Sequence, residues 1–322
     1  MREDTSFGGV DRCAEAPAAV PPADDDEAST RVELAPVSPI DGVTDLGLAQ
    51  QLARDGYARF GTVLDRTECD QILATFEEVT ARLGRPIGDE WFPTSFLPDP
   101  TLRAFIDQEL KAVVLPRLEG LIDMSVLEPV RIDYSVKPPG PHSHLGPHQD
   151  FSIVDEREWT SLYMWIPLID TDAENGTLHV LPGSHRFTNT VRSRHVPAVF
   201  DPVLDEIEAR SLALDCRAGE LVVMVSGVVH FSPPNRSPAV RLAAHGILKP
   251  KAAPLVFYFA DEDTPDGQVE VYEVGIDQYI ELALGDRPGP GYEPSGYCER
   301  PPSAMGPGRL DQGLQALAAE RR

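Results

Sequence analysis

The chain has 322 residues, of which 42% are hydrophobic and 25% charged, and a formal net charge of −24 at pH 7. These proportions are ordinary for a globular protein, and the length suffices for one large domain or two small ones with a sizeable core. The negative charge argues against nucleic acids and anionic membrane surfaces as partners, because both would repel it. No stretch reaches the roughly 18 consecutive apolar residues that a membrane-spanning helix needs.

Four cysteines are spread along the chain without the close spacing of a zinc-binding or redox motif. They are Cys13, Cys69, Cys216 and Cys298. Reduced thiols are therefore expected. The first residues lack the basic and apolar regions of a secretory signal peptide, which favours a cytoplasmic protein.

The N-terminal segment, residues 1–38, is rich in Pro, Ala and Asp, with nine acidic and three basic residues. Its few large apolar residues cannot bury enough surface to fold, so a disordered acidic tail is predicted. Order is predicted to begin near Asp45, with helical patterns around one early strand. The expected elements are a helix ending at Gly56, a strand over 57–64, a helix capped by Thr67 and ending before Gly84, and a helix from Asp99 toward Gly120 with a kink near Pro116.

From Val130 onward, short strand-like runs alternate with turns rich in Gly, Pro and Asn. The runs cover residues 131–136, 161–168, 177–181, 212–216, 220–225, 240–248 and 255–260. Many short strands with such turns are typical of a sandwich or jelly roll. We therefore expect one mainly β domain with flanking helices over residues 39–260.

Residues 261–322 are rich in Gly and Pro and form a C-terminal extension. Apolar stretches lie between Val269 and Leu284, and a helical pattern runs from Leu310 to Ala319. We expect this extension to pack on or over the β domain, or to act as a lid.

Two histidines and an aspartate have the composition of a metal site. His148 and Asp150 flank Gln149, and His230 follows far downstream. Because residues i and i+2 of a strand point to the same face, His148 and Asp150 can reach one metal, with His230 supplied by a distant strand. Two histidines and one carboxylate hold non-haem Fe(II) in oxygenases, and three protein ligands leave positions open for a cosubstrate and O2.

Seven short segments carry a resemblance to a known family. They are Lys137-Pro-Pro-Gly140, His148-Gln-Asp150, Trp165-Ile-Pro-Leu168, Asn175-Gly-Thr-Leu178, Leu181-Pro-Gly-Ser-His185, Gly219-Glu-Leu221, and His230-Phe-Ser232 followed by Arg241. With these segments the chain resembles, over roughly residues 45–260, the phytanoyl-CoA dioxygenase-like (PhyH) branch of the Fe(II)/2-oxoglutarate oxygenases. The resemblance implies a double-stranded β-helix, which is a cupin-like jelly-roll barrel.

The resemblance also implies roles for single residues. His148, Asp150 and His230 are implied as iron ligands. Halogenating relatives lack the carboxylate, so its presence here implies hydroxylation or a related oxidation. Arg241 is implied to hold the distal carboxylate of 2-oxoglutarate, because a planar guanidinium binds a carboxylate bidentately.

Two interpretations stay open for each of three further residues. Ser232 either binds the same carboxylate through its hydroxyl or is a structural serine in a turn. Lys137 lies near the cosubstrate, or in a solvated loop. Trp165 packs beside the cosubstrate, or within the core. Gln149, between two ligands, is expected to point away from the iron.

The implied reaction consumes 2-oxoglutarate and O2, releases succinate and CO2, and oxidises a C–H bond of a small metabolite or natural-product intermediate. The alternatives are a catalytically silent barrel that binds metal or 2-oxoglutarate, and a cupin-type metal protein with no use for Arg241. The insert 186–211 carries a basic cluster that either binds an anionic substrate group or is solvated. The cluster comprises Arg186, Arg192, Arg194 and His195.

Overall fold

The structure is a computed structural model that describes residues 32–36, 40–84, 86–188, 190–196, 198–285, 287–301 and 304–322. Most of the acidic tail predicted for residues 1–38 lies outside the described residues. Within it, residues 32–36 lie against the insert, where the Ala35 N–H donates to the Arg186 carbonyl over 2.9 Å.

The described helices follow local capping signals. They are α1 (Leu46–Asp55), α2 (Arg66–Leu83), α3 (Pro100–Val114), α4 (Leu204–Arg210), α5 (Ile276–Leu284) and α6 (Pro307–Glu320). The Asp65 carboxylate accepts from the Glu68 N–H, so Asp65 caps α2, and the expectation that Thr67 does so is wrong. At Pro116 the chain continues α3 as a 3-10 turn, since proline lacks the N–H that the helix needs. No helix within the described ranges is long and apolar enough to cross a membrane.

The described strands are short, as predicted. They are β1 (Tyr57–Thr62), β2 (Phe92–Pro93), β3 (Leu127–Lys137), β4 (Leu145–His148), β5 (Leu162–Pro167), β6 (Leu178–Val180), β7 (Leu212–Leu214), β8 (Glu220–Val225), β9 (His230–Ser232), β10 (Arg241–Pro250), β11 (Val256–Phe259), β12 (Gln268–Glu273) and β13 (Gly296–Glu299).

Two antiparallel sheets face each other and form the jelly roll. The larger sheet has the order β1-β8-β5-β10-β3-β2, and the smaller one β4-β9-β6-β7. Trp165 and Val222 of the larger sheet pack against Leu178 and Leu214 of the smaller sheet in one buried cluster. The predicted fold class, a mainly β jelly-roll barrel with flanking helices, is confirmed.

Alternation along β3 separates the core from the cavity of the barrel. Ile132, Tyr134 and Val136 face outward into the largest apolar cluster, which the helices α1 to α3 cover. Because strand residues alternate between faces, the polar residues between them face inward. The inward residues are Arg131, Asp133, Ser135 and Lys137. The first three line the cavity of the barrel, whereas Lys137 shares their face of β3 without lining it.

The C-terminal extension packs on the barrel through two separate regions. β12 pairs with β11 and with β13 in a third sheet, so the proposed boundary at residue 260 falls between two paired strands. α5 closes one end of the barrel cavity with Ile276, Tyr279 and Ile280. α6 inserts Leu310 and Leu317 into a cluster on the other side of the barrel.

Gly176 holds the turn beside the metal-binding segment, and we expect Gly176→Ala to destabilise the fold. Its φ is +73°, and a Cβ there would lie 2.3 Å from the Pro233 carbonyl oxygen. We expect the free energy of unfolding to fall by about 2–3 kcal/mol, measured by urea denaturation. Gly84→Ala is the control, because its φ is +63° but nothing lies within 4 Å, so only the backbone cost of about 1 kcal/mol remains. Equal losses in the two variants would contradict the close approach at Gly176.

Candidate metal centre

His148 and His230 come from adjacent strands of the smaller sheet. His148 is the last residue of β4 and is directly paired with His230, the first residue of β9. The expectation that His148 and Asp150 share one strand is wrong, because β4 ends at His148. Beyond it, the Gln149 amide donates to Thr188 Oγ1 over 3.0 Å, and the Asp150 N–H donates to a loop carbonyl. These bonds turn the chain so that Asp150 faces the histidines and Gln149 points away.

The three side chains converge on one point. One ligand atom from each of His148, Asp150 and His230 lies within 4.8 Å of the others. The closest approach between His230 and Asp150 is 4.0 Å, from Nε2 to Oδ1. The Nδ1 atoms of His148 and His230 lie 2.9 and 3.0 Å from the carbonyls of Gly146 and Val228. Both Nδ1 atoms therefore carry the proton, and the Nε2 lone pairs are left for a metal.

The electrostatics of the three groups fit a bound cation. Burial lowers the pKa of both His148 and His230 to about 4, so both rings are neutral at pH 7, the form that ligates metals. Burial raises the pKa of Asp150, whose Oδ2 is enclosed without a hydrogen-bond partner among the described residues. A cation would compensate this unpaired oxygen, and two imidazoles with one carboxylate suit Fe(II).

Arg241 lies in the same cavity, which has a volume of about 350 Å³. Its guanidinium carbon is 5.6 Å from the Trp165 ring centroid, and its Nε is buried without a partner. Burial lowers the pKa of Arg241 to about 10, so it stays charged at neutral pH. Among the described residues no carboxylate pairs with it. Arg241 is thus a cation available to an anion in the cavity, and Trp165, although buried, lines the cavity beside it.

The side chains of Ser232 and Lys137 are both hydrogen-bonded to backbone carbonyls. Ser232 lines the cavity, but its hydroxyl donates to the Gly176 carbonyl over 2.7 Å, so its proton is engaged by the fold. Lys137 is fully buried, which rules out a solvated loop lysine. Its Nζ donates to the carbonyls of Ser143 and Ser232, and it is absent from the residues that line the cavity.

Lys137 makes the stability of the fold depend on pH. Burial, with a smaller contribution from the charge of Arg241, lowers the pKa of Lys137 from 10.5 to about 6. Between these values the unfolded chain binds more protons than the folded one, so Lys137 makes stability rise with pH. We expect the free energy of unfolding of the wild type, relative to Lys137→Met, to increase between pH 6 and 9 by up to about 1.4 kcal/mol per pH unit. Urea denaturation measures this, with the exposed Lys251→Met as control. Parallel pH profiles for wild type and Lys137→Met would contradict the prediction.

A second group of polar residues lies on the cavity wall: Asp133 was a candidate for the pocket from the sequence, but His245 had no predicted partner. His245 Nε2 lies 2.6 Å from Asp133 Oδ1, and its Nδ1 is hydrogen-bonded to the Tyr163 hydroxyl. Burial raises the pKa of Tyr163, so the phenol keeps its proton at neutral pH. The Tyr163 ring is 5.9 Å from the ring of His230. The sequence did contain a signal for His245: it lies four residues after Arg241 in β10, and strand residues an even number of positions apart share a face.

The basic cluster of the insert does not reach the cavity. The Arg186 guanidinium bonds to Glu320, and that of Arg194 to a backbone carbonyl of α5. Arg192 pairs with Glu156 and donates from Nε to the carbonyl of Asp150 over 2.7 Å. The interpretation of this cluster as a substrate site is therefore not supported, and Arg192 instead stabilises the backbone that carries Asp150.

Curated relatives match part of this chain. A phytanoyl-CoA dioxygenase domain-containing protein 1 homolog of Dictyostelium discoideum is 33% identical over 104 residues, which are 30% of this chain and 37% of the relative. Phytanoyl-CoA dioxygenase 1 of Oryza sativa subsp. japonica is 32% identical over 117 residues, or 34% and 40% of the two chains. The chain therefore spans well under half of the length of these relatives.

Two solved structures resemble a larger share of this chain at lower sequence identity. The non-heme alpha-ketoglutarate-dependent carbocyclase SnoK from nogalamycin biosynthesis is 24% identical, with a TM-score of 0.46 over 68% of this chain and 89% of its own. The nickel complex of the non-heme monooxygenase ThoJ is 19% identical, with a TM-score of 0.48 over 85% and 97%.

The family assignment depends on a longer match. The family model for phytanoyl-CoA dioxygenase (PhyH) matches residues 52–243, which is more than half of the chain and includes all three metal-site residues and Arg241. The chain belongs to the phytanoyl-CoA dioxygenase (PhyH) family.

Proposed function

We propose that the protein is an Fe(II)/2-oxoglutarate-dependent oxygenase that oxidises a C–H bond of a small molecule and releases succinate and CO2. The observation that carries the proposal is one cavity with two unmatched charges. The Asp150 carboxylate lies beside two neutral imidazoles and has an unpaired buried oxygen, and the Arg241 guanidinium has no described carboxylate partner. Fe(II) and a dicarboxylate cosubstrate match these two charges.

In the proposed site, His148 and His230 hold the metal through Nε2, and Asp150 through its carboxylate. The metal, with 2-oxoglutarate, supplies the activation of O2. The carbonyls of Gly146 and Val228 accept from the two Nδ1 atoms and so hold both rings in the ligating tautomer and orientation.

Arg241 binds the distal carboxylate of 2-oxoglutarate in this proposal, and Trp165 packs beside it. The Ser232 hydroxyl must rotate away from Gly176 before it can donate to that carboxylate. Lys137 does not line the cavity, but it holds the backbone of Ser232 by a hydrogen bond to the Ser232 carbonyl. Buried charge pairs of this kind are stronger where water is excluded.

The proposed domain division assigns the barrel to residues 39–260 and cavity closure to residues 261–322, since α5 contributes three residues to the cavity wall. The acidic tail stays part of the proposal as a segment without a catalytic role.

A cytoplasmic location is proposed on the described cysteines Cys69, Cys216 and Cys298, which form no disulfide.

The test is an anaerobic titration of metal-free protein with Fe(II) and then 2-oxoglutarate, followed by admission of O2. We expect a weak visible charge-transfer band when both are bound, and slow succinate release on exposure to O2. A band without succinate release in the presence of candidate metabolites would favour a catalytically silent barrel. Absence of the band in folded, iron-loaded protein would refute the oxygenase and favour a cupin-type metal protein.

A further inference from the structure

A second guanidinium lies on the cavity wall and takes no part in the site described above. Arg131 projects from the inner face of β3, and its side chain is 11% exposed. Its Nε and Nη1 are buried without a hydrogen-bond partner among the described residues. Its remaining nitrogen, Nη2, is 3.4 Å from a carboxylate oxygen of Asp277, a side chain that is 74% exposed. This long contact leaves most of the hydrogen-bonding capacity of Arg131 unused.

A second buried cation, Arg103, lies near Arg131 and makes a bound anion more favourable there. Arg103 is close by, and its Nε is also buried without a partner. Burial and then the charge of Arg131 lower the pKa of Arg103. A buried, charged donor without a partner costs about 1–3 kcal/mol or more, and two adjacent cations repel each other. Arg103 donates from Nη1 to the carbonyls of Leu97 and Pro98, and the nearby carboxylates of Asp277, Asp99 and Glu281 partly offset its charge. The fold still keeps two cations together, and a bound anion would compensate them further.

Arg131 is too far from Arg241 to share the same anion. Within the paired strands β3 and β10, Lys137 lies opposite Arg241, Asp133 opposite His245, and Arg131 opposite Ile247. Arg131 lies six positions before Lys137, the residue opposite Arg241, so the two arginines are about 20 Å apart along the strand direction at roughly 3.3 Å per residue. Arg131 and Arg241 therefore line the same cavity at well-separated levels of the sheet, and the level of His245 lies between them.

The wall around Arg131 is apolar. Four separate segments contribute apolar side chains to the cavity that Arg131 lines: Phe96, Ile153, Leu255, and Ile276 with Ile280 of α5. The whole cavity, about 350 Å³, is near the lower limit of roughly 300–1,000 Å³ for ligand pockets, and a cosubstrate must share it. The second ligand is therefore small, with an apolar body.

We propose that Arg131 binds the carboxylate of the substrate, and that the substrate is a small carboxylic acid whose apolar body extends from Arg131 toward the metal centre. A monoanion fits better than a phosphate ester, because Asp277 and Asp133 lie near and would repel a second negative charge. The role as substrate rests on the proposed function, whereas the binding of a carboxylate at Arg131 does not.

The test uses protein loaded with Fe(II) and saturating 2-oxoglutarate without O2, so that the Arg241 end is filled. The probes are 4-phenylbutyrate and hexanoate, each compared with its neutral primary amide, and their dissociation constants are measured by calorimetry. We expect each carboxylate to bind about 10- to 100-fold more tightly than its amide. Arg131→Met should remove this preference, and Arg131→Lys should restore part of it. Arg66→Met, which removes an exposed arginine outside the cavity, should change nothing.

Three outcomes would overturn the inference while the charge-transfer band is present. They are equal affinities for acid and amide, a preference that survives in Arg131→Met, and no binding of either carboxylate. A carboxylate that abolishes the band has displaced 2-oxoglutarate, and this also counts against Arg131. Failure of the band in the wild type itself is a different result, because it refutes the proposed function before any probe is added. Thermal unfolding of each variant shows whether the fold is kept.

Discussion

Replacement of Asp150 by Ala is expected to abolish 2-oxoglutarate turnover, with a loss on the order of 10³-fold in succinate release. Asp150 supplies the only carboxylate of the described residues within 4.8 Å of the paired histidines. Without it, two neutral imidazoles remain, and both the affinity for Fe(II) and the charge balance of the site are lost. The measurements are iron content after dialysis, the charge-transfer band and succinate release.

The same variant separates function from stability. Asp150 Oδ2 is buried without a hydrogen-bond partner among the described residues, so its removal eliminates a cost of desolvation and breaks no side-chain hydrogen bond described there. We expect metal-free Asp150→Ala to unfold at the same temperature as the wild type or higher. Asp155→Ala, five residues on and outside the cavity, is the control and should keep its activity. Full iron binding by Asp150→Ala would remove Asp150 from the metal centre.

Replacement of Arg241 by Met is expected to raise the KM for 2-oxoglutarate about 100-fold, with a smaller change in kcat. The guanidinium is buried, charged at neutral pH and without a described carboxylate partner, so an anionic cosubstrate gains the full benefit of the pair. Its removal takes away binding that is equal in the ground state and the transition state. Steady-state succinate release at varied 2-oxoglutarate measures the effect.

A shortened cosubstrate sharpens the test of Arg241. 2-Oxobutyrate keeps the keto acid but lacks the distal carboxylate, so the wild type should strongly prefer 2-oxoglutarate, and Arg241→Met should lose the preference. Arg236→Met, which removes an exposed arginine five residues before, is the matched control. Unchanged discrimination in Arg241→Met would show that another cation holds the cosubstrate.

Local patterns in the sequence predicted most of the elements correctly, because their causes are local. Apolar periodicity and capping residues mark α1 to α3, and the predicted strand over residues 220–225 coincides with β8. The same reasoning failed just after His148. Two-residue alternation holds only while the chain stays in a sheet, and bonds from residues 149 and 150 to distant loops end β4 there.

The sequence by itself determined the class of fold and the family resemblance, and it singled out His148, Asp150, His230 and Arg241 as candidates for the site, since motif order and spacing are properties of the chain. Only the tertiary structure decided which polar residues meet. It paired the arginines of the insert away from the cavity, buried Lys137 behind the wall, and joined His245 to Asp133. It also left two nitrogens of Arg131 without a partner among the described residues, with one long contact to Asp277. The physical reason is that the groups packed against a charged side chain decide its role. Apart from the Ser143 carbonyl, six residues from Lys137, the partners named here lie tens of residues to more than a hundred away along the chain.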